Sequence, residues 1–129
     1  MEPILSIENL RAYFFTKKGT VKAVDDISFD LRKGELLCIV GESGSGKTVT
    51  ALSIMRLIES SGKIISGRIV LDGRDLLGLT PEQTQDVRGN KIAMVFQDPH
   101  SSLNPIFTIG YQVSESITAH KSVNENETK

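Results

Sequence analysis

The sequence is poor in several residue types, and each shortage excludes a class of protein. Cys38 is the single cysteine among 129 residues, which excludes an internal disulfide and a cysteine-based metal site. Lying within an apolar run, it is expected to belong to the core. No apolar run approaches the roughly 20 residues that a membrane-spanning helix needs. The start, Met1-Glu2-Pro3, lacks the cationic and apolar regions of a secretory signal.

Net charge is also nearly absent. The 15 basic residues balance 16 acidic ones, so the chain has no electrostatic footprint for nucleic acid or an anionic membrane. We therefore expect no nucleic-acid partner. The length predicts one domain at most, in a soluble and by default cytosolic protein, with a polar tail at about 122–129. His100 and His120 are isolated in the sequence and are expected to face solvent without a catalytic role.

The most informative stretch is rich in glycine. It reads Gly41-Glu42-Ser43-Gly44-Ser45-Gly46-Lys47-Thr48, and it follows an apolar run at 35–40. Glycines allow backbone amides to converge on an anion at a helix N-terminus. Lys47 adds a positive charge for terminal phosphates, and Thr48 offers a hydroxyl to Mg²⁺. The pattern predicts nucleotide binding.

Two apolar runs and one helix are predicted around this loop. A helix is expected over 47–59, stopping at Ser60-Ser61-Gly62. The runs at 35–40 and 92–96 are continuous, which is typical of strands buried on both faces of a parallel sheet. We expect both strands to lie in the same sheet, with polar residues 97–105 at the end of the second, where ligands bind in such folds.

The N-terminal third shows the alternation of half-buried antiparallel strands at 5–10 and 24–31, with a polar turn at 16–20. Another strand is predicted at 63–71, before the turn signal Asp72-Gly73. The run ending in Asp72 superficially resembles a metal-binding strand end, but the turn accounts for the aspartate. Tyr13-Phe14-Phe15 is an aromatic cluster, and its rings either pack within the strand or stack on a base.

The last third contains two predicted helices. Thr80-Pro81-Glu82-Gln83 has the capping hydroxyl, early proline and third-position glutamine of a helix start, and this helix should end near Gly89-Asn90. After Thr108, the apolar residues Ile109, Val113 and Ile117 recur at helical spacing.

Three features occur together: the β-rich layer with its aromatic, the loop GESGSGKT, and VFQDPHSSLNP after an apolar run. Together they resemble the nucleotide-binding subunit of ABC transporters, and the last motif resembles the oligopeptide and dipeptide importer branch. The resemblance covers nearly the whole chain, as the N-terminal part of a nucleotide-binding domain spanning 1–129. It implies an α/β fold, an incomplete P-loop NTPase core with an N-terminal antiparallel β layer.

The resemblance also implies roles for individual residues. Residues 41–48 are the Walker A motif, and Val49 joins them in binding the nucleotide; Lys47 would act in catalysis. Gln97 is the Q-loop glutamine, which would reach both Mg²⁺ and the attacking water. Thr48 would be the other ligand of Mg²⁺. Phe14 is the base-stacking aromatic, with Tyr13 as second choice. The cofactors are then ATP and Mg²⁺.

The resemblance implies an ATPase subunit that energises import of peptides or similar solutes across a membrane. Its partners would be integral membrane subunits and a second ATPase subunit, on the inner face of the cell membrane, without direct contact with the solute. The segment from Asp98 through the helix after Thr108 would begin the helical subdomain that touches the membrane subunits. The LSGGQ-like signature, the Asp-Glu strand end and the switch histidine are expected beyond residue 129, so hydrolysis by this chain alone is not expected.

Several alternatives remain open. One is a nucleotide-binding module without turnover, and another is a non-transport ABC-type ATPase that acts on nucleic acid. A GTPase or a small-molecule kinase is a third class. A GTPase would need an NKxD motif, and Asn90-Lys91-Ile92-Ala93 lacks the aspartate.

Overall fold

The structure is a computed structural model, and it describes residues 2–98 and 100–121. Two compact units are present, Met1–Thr84 and Gln85–Lys129. The strands and helices are β1 (Leu5–Thr16), β2 (Gly19–Leu31), α1 (Lys47–Ile54), β3 (Gly62–Leu71), β4 (Arg74–Asp75), α2 (Pro81–Val87) and α3 (Ile109–Thr118). Short 3₁₀ helices cover Leu76–Gly78 and His100–Ser102.

The first unit contains a four-stranded antiparallel sheet in the order β2-β1-β3-β4, which is the predicted N-terminal β layer. Strands β1 and β2 are longer than predicted and meet at a two-residue turn, where Thr16 pairs with Gly19. The turn between β3 and β4 also forms as predicted. Asp72 and Gly73 have φ values of 50° and 76°, and two positive φ angles are typical of a type I′ hairpin turn.

The core of the first unit lies on one face of this sheet, and a bulge decides which residues of β1 reach it. Leu5 and Ile7 are buried at odd positions, whereas Leu10 and Ala12 are buried at even positions. The pairing register shifts between Ile7 and Leu10, so β1 gains one residue relative to β2. Such an extra residue moves every following side chain of the strand to the opposite face of the sheet. The buried apolar residues of this unit are Leu5, Ile7, Leu10, Ala12, Val24, Met55, Ile69 and Leu76.

Helix α1 is shorter than predicted and ends at Ile54 rather than near residue 59. Arg56 adopts a φ of 53°, and the N–H of Leu57 donates to the carbonyl of Leu52 at 2.8 Å. This is the pattern of a Schellman cap, in which a left-handed residue stops the helix. Arg56 occupies a position where glycine is common. Its Nη1 donates to the carbonyl oxygens of Leu76 and Leu79 at 3.1 and 2.8 Å, which ties the end of α1 to the following 3₁₀ helix.

The two predicted parallel strands are not formed. Residues 35–40 and 93–96 have no strand, and Ile92 makes only an isolated bridge to Arg88. Leu36, Val40 and Val95 are 95%, 85% and 96% exposed, and Cys38 is exposed rather than buried. A strand in the middle of a parallel sheet needs a hydrogen-bonded neighbour on each side. The described residues supply no such neighbours to these segments, so the prediction of one shared buried sheet is wrong for this chain.

Helices α2 and α3 begin at the predicted caps. The Thr80 N–H donates to Gln83 Oε1 at 3.0 Å, and the Gln83 N–H donates to Thr80 Oγ1 at 3.3 Å, which is a reciprocal capping box. Thr108 Oγ1 accepts from the Tyr111 N–H at 3.2 Å at the start of α3. Among the described residues, no helix is long and apolar enough to cross a membrane.

The two histidines differ. His100 is exposed as predicted, but His120 is only partly exposed and its Nδ1 is buried. The His120 ring packs against Gly89, where an added Cβ would lie 2.9 Å from Nε2. The expectation that His120 faces solvent is therefore wrong, because the left-handed turn at Gly89 leaves a space that the ring fills.

Candidate functional site

The glycine-rich loop leads directly into α1. Gly44 and Gly46 have φ values of 81° and 93°, in the left-handed region that side chains disfavour. A Cβ on Gly46 would lie 2.2 Å from the carbonyl oxygen of Ala23, so only glycine fits at this position. The loop therefore packs against β2, at the point where Ala23 is the extra residue of a register shift between β1 and β2.

The N-terminus of α1 is left open to an anion. Gly46 caps the helix without a side chain, and the first turn carries no acidic residue. The first N–H groups of a helix lack intrahelical partners, and they carry the positive end of its dipole. Thr48 is exposed in this first turn and Val49 is half-buried behind it. The geometry suits a phosphate group.

Lys47 folds back onto the loop that precedes it. Its Nζ donates to the carbonyl oxygens of Gly41 and Glu42, both at 2.6 Å, and to Ser45 Oγ at 3.0 Å. An ammonium group has three protons to donate, so these contacts use all of them. The side chain is only partly exposed, so its positive charge is held within the curve of the loop. Glu42 and Ser43 are exposed on the rim.

The donor that the phosphate loop offers to Mg²⁺ is a hydroxyl oxygen. The described residues contain no group of three or more His, Cys, Asp or Glu side chains that could hold a metal ion. The exposed hydroxyl of Thr48 is the type of ligand that Mg²⁺ prefers, and a bound polyphosphate would supply further oxygens. These residues fit an ion that is held jointly with phosphates.

The two aromatic candidates lie on opposite faces of β1. Phe14 continues the even phase of Leu10 and Ala12, so its ring lies on the buried face of the sheet, where it is half-buried. Tyr13 lies on the other face, where its hydroxyl donates to Asp25 Oδ1 at 2.6 Å. The hydrogen bond to Asp25 raises the pKa of Tyr13, with smaller contributions from burial and from the Asp25 charge. Tyr13 is thus engaged in surface contacts.

Gln97 lies in the second unit and is exposed. It follows residues 93–96, which have no strand, and in the residue after it Asp98 Oδ1 accepts from the His100 N–H at 3.0 Å. Its assignment to the Mg²⁺ ion and the attacking water stays a prediction. The structure thus brings together residues 41–49 of the predicted site and describes Gln97 separately.

The contribution of Ala23 could not be predicted from the sequence. Its carbonyl oxygen sets the shape of the loop at Gly46, but a backbone contact leaves no trace in the residue type. The only signal is indirect, because a third loop glycine immediately before Lys47 suggests a close backbone approach.

Part of the exposed surface of the second unit is apolar. Ile109, Val113 and Ile117 are all exposed along α3, and the rings of Phe107 and Tyr111 stack with centroids 5.1 Å apart. The preceding loop is ordered by hydrogen bonds to Gln112. Its Oε1 accepts from the Asn104 N–H at 2.8 Å, and its Nε2 donates to the Asn104 carbonyl at 3.0 Å.

A phosphate loop between a β layer and a helix defines the P-loop class of nucleotide-binding proteins. A family profile described as ABC transporter matches residues 24–128. The chain belongs to the ABC transporter family, and the α/β P-loop fold predicted from the sequence is confirmed.

Two curated relatives from Bacillus subtilis (strain 168) are similar to this chain. An oligopeptide transport ATP-binding protein, AppD, is 46% identical over 100% of this chain and 40% of its own length. A dipeptide transport ATP-binding protein, DppD, is 47% identical over 97% of this chain and 38% of its own length. The chain therefore spans about 40% of the relatives that it matches.

Solved structures show the same fold. The dimeric structure of MJ0796, described as a bacterial ABC transporter cassette, matches with a TM-score of 0.82 and 23% identity, covering 96% of this chain and 52% of that chain. A post-hydrolysis state of MJ0796 bound to ADP and Pi matches with a TM-score of 0.81 over the same shares. The family match and the relatives' names support the nucleotide-binding class.

Proposed function

We propose that this chain binds MgATP through residues 41–49, as part of the ATPase subunit that energises import of peptides or similar solutes across a membrane. The observation that carries the proposal is the loop itself, in which Lys47 is held inside a glycine-lined curve before an uncapped helix. The names of the two Bacillus subtilis relatives support ATP as the nucleotide and peptides as the solute class.

Each residue has a proposed task. Loop amides and Lys47 neutralise the phosphates, and Thr48 and Gln97 provide oxygen ligands for Mg²⁺. Gln97 also orients the attacking water in the complete enzyme. Phe14 stacks on the base. The position of Phe14 on the buried face of β1 supports this choice over Tyr13, whose hydroxyl is bound to Asp25.

Isothermal titration with MgATP tests the binding proposal. Bound phosphates would replace the loop acceptors of Lys47 Nζ. Lys47→Ala removes these charge-assisted hydrogen bonds, so it should weaken binding by about 1.5–3 kcal/mol. The matched control is Lys18→Ala in the turn between β1 and β2, which should leave the affinity unchanged. Equal affinities for the parent chain and Lys47→Ala would reject the loop as the site. In the same assay, Thr48→Val should weaken binding when Mg²⁺ is present and have little effect in EDTA.

Two kinds of protein partner are proposed. Integral membrane subunits would dock on the segment that runs from Asp98 through α3, and its exposed apolar face supports this assignment. A second ATPase subunit is supported by the dimeric assembly described for MJ0796. Together these contacts would hold the protein on the inner face of the cell membrane.

Cysteine crosslinking tests the membrane contact. Single cysteines at Val113 and Ile117, in a chain with Cys38→Ser, should crosslink to cysteines in the membrane subunit, because both side chains are exposed on α3. A cysteine at Lys33, in the first unit, is the control and should not crosslink. Failure of all α3 positions, under conditions where known pairs in the same complex crosslink, would remove this docking assignment.

A nucleotide-binding module without turnover is the second candidate. It is favoured by the exposed state of residues 35–40 and 93–96, because these segments flank the site in the predicted fold and make no sheet here. A phosphate-release assay on the complete ATPase subunit distinguishes the two candidates, because neither of them expects turnover by this chain alone.

A further inference from the structure

We infer that Gly62 is a positioning residue that sets where the Phe14 ring lies, and that it thereby governs recognition of the nucleotide base. The inference rests on the proposed stacking role of Phe14. Gly62 begins β3 and pairs directly with Phe14 in the ladder between β1 and β3. Gly62 lies outside the phosphate loop, and it has no side chain that could contact the phosphates.

The backbone does not require glycine at this position. Seven glycines of the described chain have φ angles in the positive region, and Gly62 is not among them. An alanine could therefore adopt the local conformation without strain. The reason for glycine must lie in the space around its Cα.

That space is occupied by two side chains. A Cβ on Gly62 would lie 2.8 Å from Phe14 Cε1 and 3.1 Å from Cδ1. It would also lie 2.4 Å from Ile58 Cγ2. These separations are far shorter than the 3.5–4.0 Å at which carbon atoms are in favourable contact. The Phe14 ring and the Ile58 methyl group thus fill the volume that a side chain at position 62 would need.

The backbone around Gly62 cannot retreat easily. The Gly62 N–H donates to the Glu59 carbonyl at 2.8 Å, and the Phe15 N–H donates to the Ser61 carbonyl at 2.9 Å. These bonds hold the turn that connects α1 to β3 on both sides of the glycine. An added methyl group must therefore be accommodated by movement of side chains.

Both neighbouring side chains have room to move. Ile58 borders an open cavity of about 360 Å³ that is also lined by Ile64 and Leu77. The Phe14 ring is half-buried, and its partner on the β2 side, Val21, is exposed. Gly62→Ala should consequently displace Ile58 into the cavity and push the ring away from β3. The sheet and the phosphate loop should remain folded.

A displaced ring has a specific consequence for binding. Base stacking depends on the position of the ring, whereas phosphate binding depends on residues 41–48. Gly62→Ala should therefore weaken MgATP while leaving magnesium triphosphate unaffected. If Gly62 served only to relieve crowding in the fold, the substitution would lower thermal stability and weaken both ligands alike.

The experiment measures affinities for MgATP and for inorganic triphosphate with Mg²⁺, together with melting temperatures. Phe14→Ala should lower the ratio of the two affinities by about tenfold, because stacking of a base on an aromatic ring is lost. Gly62→Ala should lower the ratio by roughly threefold to tenfold, since part of the stacking is lost. Gly78→Ala is the matched control, because no atom lies near its Cβ position, and it should leave the ratio unchanged.

A double-mutant cycle separates positioning from packing. In the Phe14→Ala background, Gly62→Ala should have no further effect on the ratio, because the ring through which it acts is gone. Phe14→Tyr should retain the ratio, whereas Phe14→Leu, which keeps apolar volume but has no ring, should not. If Gly62→Ala proves unstable, adding Ile58→Ala removes the shortest clash and keeps the clash with the ring. The Ile58→Ala single variant is its reference.

Three outcomes would overturn the inference. A Gly62→Ala chain that weakens both ligands equally, or that changes neither affinity, assigns the glycine to packing alone. An additive effect of Gly62→Ala in the Phe14→Ala background shows that it does not act through the ring. If Phe14→Ala leaves the ratio unchanged, the stacking role falls together with this inference, while binding that depends on Lys47 would still stand.

Discussion

The antiparallel sheet and the two segments at 35–40 and 93–96 both contain large apolar residues but differ in structure. In the sheet, Leu10 and Ile69 are fully buried and every strand has a hydrogen-bonded neighbour. In the two segments, residues such as Leu36 and Val95 are almost fully exposed. Apolar character was therefore insufficient to bury these residues.

The difference lies in where the neighbouring strands come from. Strands β1 and β2 are joined by a two-residue turn, and β3 and β4 by another, so these pairs are completed locally. Parallel strands need crossover connections of a dozen or more residues. A parallel strand also needs neighbours on both sides to satisfy its backbone groups. The described part of the chain provides those partners only for the antiparallel layer.

The phosphate loop contacts the antiparallel sheet on one side only. It packs on β2 through Gly46 and Ala23, but the segment that leads into it at 35–40 makes no sheet. The loop nevertheless holds Lys47 through three hydrogen bonds. We therefore expect this chain to bind nucleotide without hydrolysing it.

The largest expected effect concerns hydrolysis. The sequence contains no LSGGQ-like signature and no apolar run ending in Asp-Glu. Loss of one positioned catalytic group commonly lowers a rate by about 10² to 10⁴, so the loss of several should leave hydrolysis near background. A phosphate-release assay should show no difference between the parent and Lys47→Ala. Turnover that depends on Lys47 at about 1 s⁻¹ or faster would contradict this prediction.

The next effect compares a leucine from each region. Leu10→Ala should lower the free energy of unfolding by about 2.7–5 kcal/mol, because it leaves a cavity in the core. Leu36→Ala should change it by no more than about 0.5 kcal/mol, because the side chain is exposed. Urea titration measures both. Equal losses for the two variants would show that residues 35–40 pack in solution as firmly as the sheet does.

The smallest effect is the ionisation of Tyr13 on the outer face of the sheet. Its pKa in the folded chain is raised, chiefly by the hydrogen bond to Asp25. The hydrogen bond from Tyr13 to Asp25 thus stabilises the folded chain below the pKa that Tyr13 has in the unfolded chain. This stabilisation is lost as the pH rises through the pKa of Tyr13 in the folded chain. Tyrosinate absorbance should show Tyr13 ionising at a lower pH in Asp25→Asn than in the parent. The second tyrosine, Tyr111, is removed as Tyr111→Phe in both chains so that only one group titrates.

A Tyr13 that titrates identically in the parent and in Asp25→Asn would show that the hydrogen bond does not persist in solution. Tyr13 would then no longer be engaged on the outer face, and the choice of Phe14 over Tyr13 would lose one of its two supports. Its position on the buried face of β1 would remain the other.

The local features of this protein were predictable because they are encoded by neighbouring residues. Asp72-Gly73 predicted a tight turn through its tolerance of positive φ, and Thr80 with Gln83 predicted a capping box. The spacing of glycines around Lys47 predicted a loop that curves before a helix. Each of these depends on fewer than ten consecutive residues, so a sequence pattern is sufficient.

Other features were decided only by tertiary structure. The bulge after Ile7 places Phe14 on the buried face of the sheet and Tyr13 on the outer face. The alternation of apolar and polar residues in β1 did not predict this bulge. Helix α1 ended early because Arg56 found carbonyl acceptors at Leu76 and Leu79, some twenty residues further along the chain.

The apolar runs at 35–40 and 93–96 illustrate the general limit. Their sequence determined that they are apolar, but burial needs surfaces contributed by other strands, and hydrogen bonding needs partners at a defined distance. A run of side chains specifies what it would contact favourably. Whether that contact forms depends on which other parts of the structure lie beside the run. Here Leu36 and Val95 are exposed to solvent.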